Sequence, residues 1–315
     1  MRKRINIFVV CHKPAYVLEN RLLVPIQVGA ALNTERYEGM LQDDTGENIS
    51  VRNQQYCELT AQYWAWKNAD SDYYGFFHYR RYMSFETIYP VEVSGKIKEG
   101  GYIRPYVELD CIQDDLSKYK LEETWMEQQI SQYELLTILR ERINTSVYRQ
   151  FCQYHSKEDM DLLLEILKKS YPEYEEAAKS YMNSKEIYYM NMYIMKKPLF
   201  MNYMEWLFKI LEEFELKKKE TSQTEIQPRL MGYLGERLFG IFYTYQRQRG
   251  VKCAEVPYLK FYDTGCGEEK DIQYNIRSFQ LKPTKYEIRI DMRKLNRLFP
   301  PGSRRRILLR NLFLR

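Results

Sequence analysis

An α/β fold, with a mostly parallel central sheet flanked by helices, is predicted by three observations. Residues 5–11 (Ile-Asn-Ile-Phe-Val-Val-Cys) and 72–78 (Asp-Tyr-Tyr-Gly-Phe-Phe-His) are short apolar runs with little polar alternation, the pattern of strands covered on both faces. A helical segment lies between them, so the chain begins as strand, loop, helix and strand, the form of a right-handed crossover. Both runs end in polar groups, His12-Lys13 and His78-Tyr79-Arg80-Arg81-Tyr82. Open α/β sheets bind ligands at that carboxyl edge.

The elements follow in order. Pro14 stops simple continuation of the first strand, and residues 24–30 suggest a helix or loop and another short strand. Residues 43–50 (Asp-Asp-Thr-Gly-Glu-Asn-Ile-Ser) form a loop by their turn chemistry, either a surface turn or a clamp for a small ligand. Ser50 or Asn53 can cap a helix to about Lys67, with Tyr56, Leu59, Tyr63, Trp64 and Trp66 as its aromatic face. Residues 84–106, with Pro90, Gly95, Gly100, Gly101 and Pro105, read as a flexible excursion over the site. Helical signals dominate 111–179, with Ser156 and Asp159 as a capping box. His155 there reads as a loop residue. The carboxylates of Asp159 and Asp161 diverge by about 200° on a helix and cannot grip one metal.

Residues 188–195 read as a further buried strand that delivers Lys196 and Lys197 to its end, and Phe200, Tyr203, Met204, Leu207, Leu211 and Phe214 mark an amphipathic helix. A polar linker covers 217–227. After Pro228 a second long helix begins, on which Arg229, Gly232 and Glu236 share one stripe. Its three glycines, each costing about 1 kcal/mol relative to alanine, imply close approach of a ligand or a neighbouring helix. Residues 253–262 suggest one more strand, and a basic tail completes the chain.

Composition bounds the rest. A chain of 315 residues suits one main domain, 1–250, with a C-terminal extension, 251–315. Mean hydropathy of −0.60 excludes a polytopic membrane protein, and no apolar run approaches the roughly 18 residues of a spanning helix. The basic, then briefly apolar start reads as a first strand rather than a signal peptide, so a cytoplasmic protein is expected. Six scattered cysteines indicate neither a zinc site nor a disulfide framework. The 29 tyrosines fit stacking on sugars or bases, or plain filler. The net charge of +5 is concentrated in the tail. Residues 293–315 interleave bulky apolar residues with arginine, the composition of a segment lying on anionic lipid. No nucleic-acid motif accompanies that charge.

Arg80 and Arg81 at a strand end suit a diphosphate, because the planar guanidinium fork matches phosphate oxygens. A solvated surface pair is the other reading. Taken together, Val10-Cys-His-Lys13, the 43–50 loop, Glu58-Leu-Thr-Ala-Gln-Tyr-Trp-Ala-Trp-Lys-Asn68, His78-Tyr-Arg-Arg-Tyr82 and Gly232-Tyr-Leu-Gly-Glu-Arg-Leu238 resemble the DUF4422 family of bacterial capsular and exopolysaccharide gene clusters. The resemblance spans about residues 5–245. It implies a GT-A-like (Rossmann-like) glycosyltransferase, with a UDP-sugar as donor, galactofuranose or galactose as the transferred sugar, and a lipid-linked oligosaccharide as acceptor.

Enzymes of that shape commonly hold a divalent metal with Asp-x-Asp at a strand's carboxyl end, where this chain has His78-Tyr79-Arg80-Arg81. Asp70-Ser71-Asp72 lies at the other end of that strand, about 20 Å away. The expectation is therefore a metal-independent, inverting enzyme without a cofactor. His12, Lys13, Arg80, Arg81, Arg229, Arg237 and Lys196 would hold the donor diphosphate, and Asp43, Asp44 and Asn48 its uridine or ribose. Glu236 is the first candidate for general base, ahead of Asp44 and His78, although an ion pair to Arg237 or Arg229 would also explain it. The non-catalytic alternative is a carbohydrate-binding or assembly protein. An acceptor met at the inner face of the plasma membrane, through 293–315, completes the reading.

Overall fold

The computed structural model describes residues 3–97, 104–221 and 226–264, with two short paired segments at 280–281 and 284–285. The segment 293–315, expected on a membrane surface, lies outside the described residues. In chain order the strands are β1 (Ile5–Cys11), β2 (Leu23–Gln27), β3 (Leu41–Gln42), β4 (Tyr73–His78), β5 (Arg81–Met83), β6 (Tyr89–Val91), β7 (Tyr106–Cys111), β8 (Leu135–Ile138), β9 (Glu141–Arg142), β10 (Glu186–Ile187), β11 (Tyr193–Lys196), β12 (Cys253–Val256) and β13 (Tyr258–Asp263). The helices are α1 (Asn53–Tyr56), α2 (Leu59–Asn68), α3 (Glu123–Ile130), α4 (Val147–Tyr154), α5 (Lys157–Ser170), α6 (Glu175–Asn183), α7 (Lys197–Thr221) and α8 (Leu230–Gln248).

The main sheet has the order β3-β2-β1-β4-β11-β8-β12-β6. β1, β2, β3 and β4 run parallel, as do β8 and β12; β11 is antiparallel to both its neighbours, and β6 is antiparallel to β12. A limb of β5, β13 and β7 continues from β4. Alternation along β1 and β4 explains why both are apolar throughout. Phe8, Val10, Tyr74 and Phe76 face a core built with α2, α6, α7 and α8, whereas Ile5, Ile7, Val9, Tyr73 and Phe77 face a second core with β5, β13 and α3. At Gly75 the neighbouring side chains fill the space: a Cβ would sit 2.9 Å from the Ile194 side chain and 3.0 Å from that of Ile7.

Several expectations are corrected. The run at 188–195 is a strand only from Tyr193 and runs antiparallel to β4, pairing Lys196 with Tyr73. Lys196 therefore emerges at the amino end of β4, away from His78, and does not join the cationic edge. Apolar spacing is the same whichever way a strand runs, so sequence does not encode direction. The segment 111–179, read as helical, contains the buried β8, whose four residues resemble any short apolar run, and the two-residue β9. The excursion at 84–106 supplies β6 at the sheet edge and begins β7, with 98–103 outside the described residues. The sheet also passes residue 250: β12 lies between β8 and β6, and β13 between β5 and β7. No helix among the described residues is long and apolar enough to cross a membrane.

The glycines of α8 face neighbouring helices rather than a ligand. A Cβ at Gly235 would lie 2.9 Å from Leu59, and at Gly240 it would overlap the Tyr181 ring. Ser156 caps α5 by accepting from the Asp159 amide, as its spacing predicts. Asp159 and Asp161 do diverge, the first to Lys218 at 2.5 Å and the second to Tyr148 at 2.6 Å. His155 follows α4 as its C-cap, tilted against Phe151 and Tyr233.

Candidate functional site at the carboxyl edge

The parallel register of β1 and β4 sets Val10 opposite His78, so both chains leave the sheet together. The His12 and His78 rings lie 6.0 Å apart, and Lys13 and Arg80 both lie over the Tyr79 ring. Beside this edge is a cavity of about 170 Å³, floored by Val10 and Phe76 and walled by Glu58, His78, Arg81, Asn191, Arg229 and Glu236. Besides the β4–β5 edge, three segments build its walls: the α1–α2 junction, the 190–192 turn before β11, and the start of α8.

Each segment reaches the cavity through unusual backbone. Of the five non-glycine residues with positive φ among those described, Cys57, Met190, Asn191 and Arg229 surround the cavity, and only Lys120 lies elsewhere. Such conformations cost roughly 1–3 kcal/mol each and persist where the surroundings impose them, most often at functional sites. At Cys57 (φ 49°, ψ −127°) the helix read from 53 to 67 breaks into α1 and α2, which turns Glu58 toward the cavity. Arg229 adopts φ 65° with its amide on the Gln54 carbonyl, anchoring the start of α8 to α1.

The two carboxylates are held differently. Glu236 Oε1 accepts the Met190 amide at 2.6 Å and Oε2 accepts from Arg237 Nη1 at 3.0 Å. Arg237, 2% exposed, is held in turn by Gln150 Oε1 at 2.7 Å. Glu58 Oε1 accepts from Asn191 Nδ2 at 2.7 Å, and the same amide reaches the Gly232 carbonyl at 3.2 Å. Burial, and after it the nearby Glu236 charge, raises the Glu58 pKa above the usual carboxylate value. Asn191 Oδ1 is buried without a partner among the described residues. It is an acceptor in want of a donor, and a ligand hydroxyl would supply one.

The positive side is also distinctive. His78 Nδ1 accepts the Arg80 amide at 3.2 Å, which leaves its proton on Nε2. Burial, then Arg81 and Arg80, pulls the His78 pKa well below its ordinary value, so the ring is neutral and a weak base. His12 is pulled down to about 4, first by the protein volume displacing water and then by Arg80 and Lys13. Its ring remains partly open to solvent. Arg81 is lowered by burial. Arg80 Nε is buried without a partner.

Other sequence-predicted residues are engaged elsewhere. Asp43 is fully buried, accepting from the Gly29 and Ala30 amides at 3.0 Å each and from Ser50 Oγ at 2.5 Å. With its oxygens occupied, it orders the strand-end turn rather than contacting a ribose. Asn48 closes its own loop, donating to the Asp44 and Gly46 carbonyls. Asp44 pairs with Arg36 at 2.7 Å and does not line the cavity, which removes it as a base. Arg237 stands behind Glu236, packed over Phe151 and Tyr189, and positions that carboxylate instead of lining the cavity. The alternative reading of Glu236 as an ion-pair partner therefore holds for Arg237, alongside its place in the cavity wall. Sequence reasoning missed Glu58 and Asn191 as site residues. It also missed Glu141 on β9, whose raised pKa reflects burial and which is close enough for the Glu236 charge to act on it. No turn or spacing signal in the sequence marks the breaks that expose the first two.

Residues 6–248 match a family model described as a domain of unknown function, DUF4422. The chain belongs to the DUF4422 family. It is also similar to a solved structure, the apo form of the WbbM bifunctional glycosyltransferase, with a TM-score of 0.71 and 30% sequence identity. That match covers 82% of this chain and 45% of the other, so this DUF4422 chain spans less than half of WbbM's length. Among the curated proteins none matches the chain. The shared architecture is the GT-A-like fold, a mostly parallel central sheet flanked by helices.

Proposed function

We propose that this DUF4422 chain is a glycosyltransferase that moves galactofuranose or galactose from a UDP-sugar to a lipid-linked oligosaccharide during capsule or exopolysaccharide synthesis. One observation carries the reading: two carboxylates, Glu58 and Glu236, share a cavity with Arg81 and Arg229 at the carboxyl edge of the sheet. The similarity to WbbM, itself described as a bifunctional glycosyltransferase, supports the same class of chemistry.

The chemistry follows from the charges. Arg81 and Arg229, with Arg80, His12 and Lys13 at the edge, take the diphosphate and stabilise the negative charge that grows as it leaves. Glu236, aimed by Arg237 and the Met190 amide, accepts the acceptor hydroxyl's proton as the new glycosidic bond forms, and inversion results from attack opposite the leaving group. Asn191 Oδ1 orients a sugar hydroxyl. Among the described residues no three His, Cys, Asp or Glu side chains are grouped to hold a metal ion. Asp70 and Asp72 are engaged at the far end of β4 by Arg4, and Asp70 also by Lys197. Fixed guanidinium charge is accordingly the proposed substitute for a metal, and no step is routed through one. The segment 293–315 would hold the enzyme to anionic lipid at the cytoplasmic face, where the acceptor lies.

Purified full-length protein should be stabilised by UDP in a thermal-shift titration, and should transfer from UDP-galactofuranose or UDP-galactose in EDTA. Activity restored only by magnesium or manganese would overturn the metal-free mechanism. Stabilisation by glycan with indifference to every nucleotide would overturn the enzyme reading in favour of a binding protein.

A further inference from the structure

A second cleft, of about 390 Å³, lies at the other end of α8. Its volume is within the range of small-molecule pockets, about 300–1,000 Å³. From Glu236 to Tyr245 and Arg249 is 9 to 13 residues, or about 14–20 Å along the helix, so the cleft is separate from the front cavity. Three elements form it. Asn202, Glu205, Trp206 and Lys209 recur at the spacing of one helical face on α7; Tyr171, Glu173 and Tyr174 come from the α5–α6 junction; Tyr245, Gln246 and Arg249 end α8.

Two features specify the occupant. The first is a ladder of aromatic rings: Trp206 stacks on Tyr174 at 4.7 Å, Tyr174 stacks on Tyr245 at 4.0 Å, and Tyr171 meets Trp206 edge-on at 6.3 Å. Tyr174 and Trp206 are buried, and the partly exposed end rings, Tyr171 and Tyr245, offer apolar area beside polar tips, which suits the mixed C–H and O–H surface of a sugar ring. Trp206 is 4% exposed, and its buried indole N–H has no hydrogen-bond partner among the described residues. Buried donors of that kind are normally satisfied, by a ligand or water where protein does not do it. The second feature is charge balance. Glu173 and Glu205 face Lys209 and Arg249, with Glu205 and Lys209 paired at 2.7 Å and Arg249 set over the Tyr245 ring. No net field favours a phosphate or a carboxylate, whereas Asn202, Gln246 and the charged tips provide both donors and acceptors.

We infer that this cleft is a second carbohydrate site, which binds a neutral hexose unit of a glycan chain. Its occupant differs from that of the cationic front cavity, and the inference stands whether or not that cavity transfers sugar. A glycan held here would be tethered at a fixed distance from the front edge, which raises its local concentration there.

The test is a saturation-transfer NMR titration of the full chain with three neutral tetrasaccharides, of galactose, glucose and mannose, in the presence and absence of saturating UDP. At least one should bind saturably with UDP present. In the Asn202→Ala/Arg249→Ala double variant, whose side chains are both solvent-exposed, affinity should fall about tenfold or more with the melting temperature retained. Arg81→Ala should leave that binding unchanged. Absence of saturable binding by all three sugars, survival of binding in the double variant, or loss of it in Arg81→Ala would each overturn the proposal. An absent UDP effect on the front cavity would count against the transferase reading alone.

Discussion

The two ends of β4 carry charges that meet opposite fates. At the amino end both carboxylates are engaged locally: Asp70 lies between Arg4 at 2.8 Å and Lys197 at 2.6 Å, and Asp72 accepts the Arg4 amide. At the carboxyl end, a few residues along the same strand, His12 and His78 have depressed pKa values and Arg80 keeps a buried Nε without a partner. Arg81 is itself lowered by burial and by its like-charged neighbour Arg80. Neutralised charge stabilises a fold modestly; crowded cations cost stability and persist where an anion is to be received. The contrast locates the working edge more firmly than the presence of arginine does.

The largest expected effect separates the ends by function. Glu236→Gln should lower kcat by about 10²–10⁴ while the melting temperature holds, as expected for the loss of a general base. A variant that loses only stability would make Glu236 another structural ion-pair partner, like Asp70. Next in size, Arg81→Ala and Arg229→Ala should each lower kcat/KM for the donor by about 10²–10³, the scale seen when one electrostatic stabiliser is removed. Steady-state kinetics with varied donor concentration would show this, and an unchanged kcat/KM in both would sink the diphosphate role.

Glu58→Gln tests the cost of the site. Burial raises the folded-state pKa of Glu58, so the folded protein binds this proton more tightly than the unfolded chain does. Stability from the protonated form is full below the unfolded value and is lost as pH rises through the raised one. The neutral amide should therefore raise the melting temperature at pH 7, and the gain should shrink toward pH 4. A uniform gain, or a loss at pH 7 alone, would contradict the burial argument. The smallest effect belongs to the amino end: Lys197→Ala should leave the denaturant unfolding midpoint nearly unchanged, because its pair with Asp70 is solvent-exposed, and should leave turnover unchanged.

Much of this was legible in the chain itself. The apolar runs at β1 and β4 and the cationic cluster beyond them follow from local pattern, because a strand buried on both faces is apolar along most of its length, and their parallel pairing follows from the helix between them. Arg229, Gly232 and Glu236 do come together, two lining the cavity and the third accepting from Asn191, although Arg229 is the left-handed N-cap of α8 and not a member of a helical stripe. The loop at 43–50 was recognised by its turn chemistry but misassigned in role. Its Asp and Asn side chains are spent on its own and nearby groups, and the residue types that build a tight turn are also those that bind ribose. Lys196 was misplaced because strand polarity depends on where the connection enters the sheet.

By itself the sequence determined which segments are buried, where chemistry-bearing residues end a strand, and which stripe of α8 faces inward, since these depend on spacing along one element. The tertiary structure alone decided that β11 is antiparallel, that the helix breaks at Cys57 to bring in Glu58, and that the 190–191 turn delivers Asn191 between Glu58 and α8. The break at Cys57 and the 190–191 turn arise from left-handed backbone at ordinary residues, which local propensity disfavours and only the surrounding contacts hold in place.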